Sequence, residues 1–104
     1  MASMTVVYRT PTDPEAFHRH YVEVHIPLAK QLPGLRDYQV STGPITTPLG
    51  EKDAFFVSIL YFDDLDAIRA AFASPAGQAC AHDRQILAPG PEDALMMLFD
   101  TTSA

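Results

Sequence analysis

Asp13-Pro14-Glu15-Ala16-Phe17-His18-Arg19-His20-Tyr21-Val22-Glu23-Val24-His25-Ile26-Pro27-Leu28, closed by Leu32-Pro33-Gly34-Leu35, is the stretch from which the rest of the chain can be ordered. Asp13 offers a carboxylate to a free backbone N–H. Pro14 takes a first-turn position where its missing donor costs nothing, so a helix starts here. Phe17, Tyr21, Val24 and Leu28 recur at helical spacing as its apolar stripe, with His18 and His25 on one flank. Pro27 has no N–H to give to the Glu23 carbonyl, which predicts a bend or break just after His25. Pro33-Gly34 ends the element. Tyr21 and His25 handle protons on a face where aliphatic residues are the rule, and together they predict a lined pocket rather than a plain core.

On the N-terminal side, Thr5 to Arg9 is a run of β-branched and aromatic residues and reads as a strand. On the C-terminal side, Leu35 to Thr42 alternates as a second strand, with Arg36, Tyr38 and Val40 on one face. A slip of one residue in its register would turn Tyr38 to the other side of the sheet. The loop Gly43 to Asp53 is too long for a tight hairpin and suits a lid, a dimer contact or a mobile connection. Ala54 to Phe62 is a third strand, apolar on both faces, with Phe55, Val57, Ile59 and Tyr61 opposite Phe56, Leu60 and Phe62. Asp63 and Asp64 are capping residues for a helix whose core side is Leu65, Ile68 and Phe72. Ser74-Pro75 starts a further helical piece to about Leu87, and Ala94 to Asp100 is a last strand, again apolar on both faces.

The order β-α-β-β-α-β is the split βαβ pattern of a ferredoxin-like α+β fold with a four-stranded antiparallel sheet. Its helices can cover only one face of that sheet. The apolar character of the last two strands on both faces predicts a partner for the other face, most simply a second copy of the chain.

With 104 residues and a 47% apolar composition, one domain spanning residues 1–104 is expected. The N-terminus lacks the basic and apolar regions of a signal peptide, no segment reaches the length of a membrane span, and a soluble, cytoplasmic chain is expected. Met4 is an alternative start. A net charge of −6 with seven scattered Lys and Arg residues opposes nucleic-acid or anionic-lipid binding. The single cysteine, Cys80, excludes an internal disulfide and reads as a small buried side chain in an Ala-rich helix.

Several blocks resemble the EthD-like family of the dimeric α+β barrel superfamily. They are Phe17-x3-Tyr21-x3-His25-x-Pro27-Leu28, Leu32-Pro33-Gly34-Leu35-x2-Tyr38-x-Val40, Tyr61-Phe62, Ala71-Phe72-x-Ser74-Pro75-x-Gly77-Gln78 and Asp83. The resemblance covers nearly the whole chain in order. It implies two ferredoxin-like subunits, sheet facing sheet, with a pocket between sheet and helices lined by Tyr21, His25 and Tyr38. The family is also similar to methylmuconolactone methylisomerases, which handle small lactones without a cofactor.

His25 is the leading catalytic candidate, since its ordinary pKa near neutrality suits a general base or acid. Tyr21 is the second, placed to hydrogen-bond the imidazole or a substrate oxygen. Backbone carbonyls freed by Pro27 offer one way to fix the imidazole tautomer. Tyr38, Phe17, Leu28 and Asp83 are the expected substrate-binding residues; Tyr38 reads equally as a core strand aromatic, and Asp83 orients His25, caps a loop or, as the preferred reading, stands as a solvated surface group. The plainer alternative makes Tyr21 and His25 amphipathic residues whose tips reach solvent.

His18 and His20 are two apart and diverge on a helix, so with His25 they make no metal set, and neither a metal nor a haem is expected. No phosphate-cradling glycine loop is present. The expected function is cofactor-independent proton transfer by His25 and Tyr21 on a small apolar oxygenated metabolite: a lactone, phenol, quinone or polyketide fragment. Isomerisation, dehydration and decarboxylation all fit; a cofactor-free oxygenase is a variant, weakened by the lack of Trp. Two other classes stand beside it. One is a non-catalytic binding protein for a hydrophobic molecule. The other is a structural dimer with a vestigial pocket in which Tyr21 and His25 satisfy one another.

Overall fold

In a computed structural model describing residues 1–104, the chain runs β1 (Ala2–Tyr8), α1 (Pro14–His20), a π-helical turn (Tyr21–His25), α2 (Ile26–Ala29), β2 (Asp37–Val40), β3 (Phe56–Phe62), α3 (Leu65–Ala73), α4 (Pro75–Leu87) and β4 (Ala94–Asp100). The four strands form one antiparallel sheet in the order β2-β3-β1-β4. This is the ferredoxin-like α+β arrangement expected from the order of elements. Strand β1 begins earlier than Thr5, at Ala2, because β3 and β4 extend along its whole length and pair with it from Ala2 to Tyr8.

Helix starts follow the local chemistry of the chain. Asp13 accepts from the Ala16 N–H at 3.1 Å, Asp64 from Ala67 at 2.7 Å, and Ser74 Oγ from Gly77 at 3.1 Å. Asp63, expected as a cap, instead takes a two-pronged bond from Arg36 at 2.8 and 2.9 Å. At the α3–α4 corner, any Cβ on Gly77 would lie 2.1 Å from the Ala71 carbonyl oxygen, so only glycine fits.

All helices pack on one face of the sheet. Met4, Val6, Tyr8, Phe56, Ser58, Leu60 and Phe62 are buried beneath them, and the register puts Tyr38 and Val40 on that same side. The opposite face carries Val57, Ile59, Tyr61, Leu95, Met97 and Phe99 with no layer over it. Tyr38 therefore points to the helices and not to the bare face.

The helical stripe departs from expectation after Tyr21. Rather than breaking before Pro27, the helix widens by one residue, and the Ile26 N–H reaches back five positions to the Tyr21 carbonyl. In a regular α-helix each step of four residues drifts by about 40° around the axis. The wide turn offsets that drift, so Phe17, Tyr21, His25 and Ala29 are all buried on one line. Val24, assigned to the stripe from its spacing, is turned outward and 39% exposed, and Leu28 is only half-buried. Pro27 sits in the first turn of α2, just past the wide turn, and the helix passes through it without a break.

Candidate functional site

His25 is held from the far side of the core. Its Nδ1–H donates to Asp83 Oδ2 at 2.9 Å, and the other carboxylate oxygen, Oδ1, accepts from His20 Nε2–H at 2.8 Å. Asp83 comes from α4, His20 from α1 and His25 from the π-helical turn, so the carboxylate ties α4 to the first helical segment. At 5% exposure Asp83 is buried, which corrects its reading as a solvated residue. The signal was the spacing Gly77, Cys80, Asp83, Leu87 along α4, which places Asp83 on the inward side.

The Asp83 bond fixes the tautomer. A carboxylate accepts only, so Nδ1 carries the hydrogen and the neutral ring presents a lone pair at Nε2. No backbone carbonyl is needed for this, contrary to the role considered for the carbonyls near Pro27. Nε2 faces Cys80, whose Sγ lies 4.0 Å away. Burial pushes the His25 pKa below its ordinary 6.5, against the opposing pull of Asp83, so the ring is neutral at pH 7. Burial pushes the Cys80 thiol up to about 11, so it stays protonated.

His25 and Cys80 share the wall of a cavity of about 340 Å³ between the sheet and α3–α4. Met4, Val6, Leu60, Ile68, Phe72 and Leu98 make it apolar. Tyr8, His25, Ser58, Cys80, Arg69 and Arg84 complete the lining, and almost all of the wall they present is apolar. Tyr8 is 1% exposed and gives no side-chain hydrogen bond inside the protein, yet no fully enclosed side-chain polar atom lacks a partner. Its hydroxyl therefore keeps some access to open space, and Tyr8 lines both this cavity and the neighbouring cleft that holds Asp13 and His20. Burial raises the Tyr8 pKa far above 10, so it acts as a donor and never as a base at neutral pH.

Tyr21 and Tyr38 do something different. Their hydroxyls bond to each other at 2.5 Å, and neither lines the cavity. Tyr21 is 1% exposed and packed by Phe56 (ring centroids 4.6 Å apart) and by the His25 ring at 4.9 Å. Neither the Tyr21 nor the His25 tip reaches solvent, and they do not satisfy one another, since each has its own polar partner. Burial holds both phenols above their ordinary value, with Tyr21 adding to the rise at Tyr38.

Of the residues named from sequence, then, His25 lines the apolar cavity and Asp83 backs it. Phe17 lies instead in the aromatic cluster with Tyr8 (5.2 Å) and beside a separate cleft shared with Asp13 and His20. Leu28 lies off the cavity because the wide turn rotates α2. Sequence reasoning passed over Tyr8, Ser58 and Arg84. Tyr8 had a signal in its alternation with Val6 and Met4 along β1. No group of three His, Cys, Asp or Glu side chains is arranged to hold a metal ion, and no helix is long and apolar enough to cross a membrane.

The sequence and the fold are similar to those of other proteins. An uncharacterised 11.0 kDa protein from the thcB–thcC intergenic region of Rhodococcus erythropolis is 36% identical over 100 residues, which is 95% of this chain and 92% of that one. The crystal structure of an ethyl tert-butyl ether degradation (EthD) family protein from Bacillus halodurans superposes with a TM-score of 0.85 at 28% identity, over 98% of this chain and 99% of the other. SnoaB, a cofactor-independent oxygenase from Streptomyces nogalater, shares the fold at 18% identity with a TM-score of 0.68, over 99% and 94% of the two chains. Residues 9–88, which include α1, the wide turn, His25 and the Asp83 carboxylate behind it, match the EthD domain model, and the chain belongs to the EthD family.

Proposed function

We propose that this protein binds a small, largely apolar oxygenated molecule in the cavity beside His25 and moves a proton on it without a cofactor. The observation that carries this reading is the buried His25–Asp83 pair, which leaves a neutral Nε2 at an otherwise apolar wall. A base with a lowered pKa in a dry site removes a proton from an activated C–H or O–H. The imidazolium that forms is stabilised by Asp83, whose carboxylate His20 holds in place. The Tyr8 hydroxyl donates to the oxygen where negative charge develops. Tyr21 and Tyr38 act one layer back, fixing the helix that carries His25. The cofactor-independent activity of the structurally similar SnoaB is consistent with such a site working on its own side chains.

A second copy of the chain covers the bare sheet face in this reading. Leu95, Met97 and Phe99 are 58, 38 and 42% exposed in a row on the edge strand β4, and Val57, Ile59 and Tyr61 continue the apolar surface across β3. Sedimentation velocity tests this. Wild type should run as a dimer and Met97→Asp as a monomer; a monomeric wild type would remove the proposal.

The chemistry is tested by proton NMR in D₂O with a panel of lactones, enolisable ketones and phenols. Wild type should accelerate C–H to C–D exchange on at least one skeleton. His25→Gln should abolish exchange while keeping the ligand-induced rise in melting temperature. Binding without exchange in both proteins would make this a carrier of hydrophobic molecules, not a catalyst.

A further inference from the structure

Cys80 and His25 meet at the wall of the apolar cavity, and the carboxylate behind them completes a row of three groups. Sγ of Cys80 lies 4.0 Å from His25 Nε2, while Nδ1 of the same ring is tied to Asp83 Oδ2 at 2.9 Å. Cys80 and Asp83 are three apart on α4 and are buried on the same side of it, and His25 comes from the wide turn packed against them. The imidazole is 5% exposed, and its one lone pair meets only the thiol. Almost all of the cavity wall is apolar, so nitrogen and oxygen are scarcely offered to a ligand there, whereas sulfur suits such a wall. A buried cysteine with no base beside it is inert. Here sulfur, imidazole and carboxylate stand in the order of a nucleophile, its base and the group that orients the base.

We infer that Cys80 is a nucleophile, activated by His25 and Asp83, that adds to a conjugated carbonyl compound held in the apolar cavity. This rests on the proposed function and deepens it. His25 remains the base, the first proton it takes is the thiol's, and the oxygenated ligand is narrowed to one with a C=C bond conjugated to its carbonyl. As the C–S bond forms at the β-carbon, the S–H proton passes to Nε2 and the C=C electron pair shifts towards the carbonyl as an enolate. The imidazolium then returns the proton to the α-carbon, so S–H has added across C=C with no oxidant or reductant. Burial keeps the thiol protonated and the ring neutral at rest, and charge separates only with an acceptor in place. The surrounding Met4, Leu60, Ile68 and Phe72 favour an uncharged skeleton.

N-ethylmaleimide, a small uncharged conjugate acceptor, tests the inference on the intact protein, with the adduct followed by mass spectrometry. Its saturated analogue N-ethylsuccinimide serves as a ligand that cannot react. Cys80 is the single cysteine, so one adduct is expected in wild type and none in Cys80→Ala. Wild type should react about a hundredfold faster than His25→Gln, the scale of general-base assistance, and low urea should leave its rate unchanged. Melting curves check that both proteins are folded. Equal rates in the two, or a wild-type rate that climbs with urea, would mean that the thiol is reached only through opening of the fold, and would overturn the inference. If N-ethylsuccinimide then still raises the melting temperature of wild type, the cavity reading stands without the nucleophile. If no adduct forms and N-ethylsuccinimide raises nothing, the cavity reading fails together with the inference.

Discussion

One helical turn separates two polar centres that are built alike and left in opposite states. Around Tyr21 everything is closed: the hydroxyl meets Tyr38, aromatic rings pack both sides, and no cavity touches it. Around His25 one ring nitrogen is tied to Asp83, while the other meets only the Cys80 thiol, at 4.0 Å, on the wall of a cavity. Both centres are deeply buried, so burial does not tell a sealed polar group from one left at a cavity wall. The difference lies in what remains unpaired after folding.

The sharpest way to break the contrast is Asp83→Ala. It strips the acceptor from two imidazoles at once and leaves His25 Nδ1–H buried without a partner. We expect a loss of about 3 kcal/mol in chemical denaturation, as when one member of a buried polar pair is removed. A loss near zero would mean that Asp83 does not orient His25. Tyr21→Phe should cost about 1 kcal/mol, one hydrogen bond, and leave ligand affinity unchanged because the pair is sealed from the cavity. Affinity lost without stability would reverse the assignment of the two centres.

Acid titration of stability sharpens the comparison further. The His25 pKa is lowered in the folded state, so the unfolded chain binds its proton first as pH falls. This contribution to stability is present above the unfolded value of 6.5, falls as pH drops from there towards the lower folded pKa, and levels off below it. Denaturation midpoints from pH 8 downward should show that decline in wild type, and a weaker one in His25→Gln. Base-dependent turnover should fade over the same window. The smallest effect on stability belongs to Tyr8→Phe. Its hydroxyl has no partner to lose, so unfolding should change by less than about 0.5 kcal/mol. A destabilisation comparable to Tyr21→Phe would show that Tyr8 has a hidden partner inside the fold.

Much of the fold was legible because local and global signals agreed. Asp13-Pro14, Asp64 and Ser74-Pro75 each mark a helix start by side-chain capping, and strand alternation put Phe56, Leu60 and Phe62 beneath the helices. The site was legible only in part. Tyr21, His25 and Tyr38 carry the family pattern, yet which of them faces open space depends on the long-range meeting of α4 with the wide turn. Asp83 was misjudged for the same reason: a carboxylate on an Ala-rich helix looks solvated until the histidines 58 and 63 positions away close over it. Val24 was misplaced because 3.6-residue periodicity assumes an unbroken α-helix, and nothing at Val22 to Val24 announces an extra residue in the turn.

That extra residue makes the site depend on counting as much as on chemistry. Between Phe17 and Ala29 a one-residue deletion, harmless on many exposed helix faces, would wind the turn back to regular pitch and swing the downstream imidazole away from its carboxylate. Substitutions at the outward-facing Val22, Glu23 and Val24 would be tolerated far better than any change in their number. Drift within the family is therefore expected to rewrite these three letters freely while conserving the spacing from Tyr21 to His25, so length rather than identity is the mark by which descendants of this turn should be recognised.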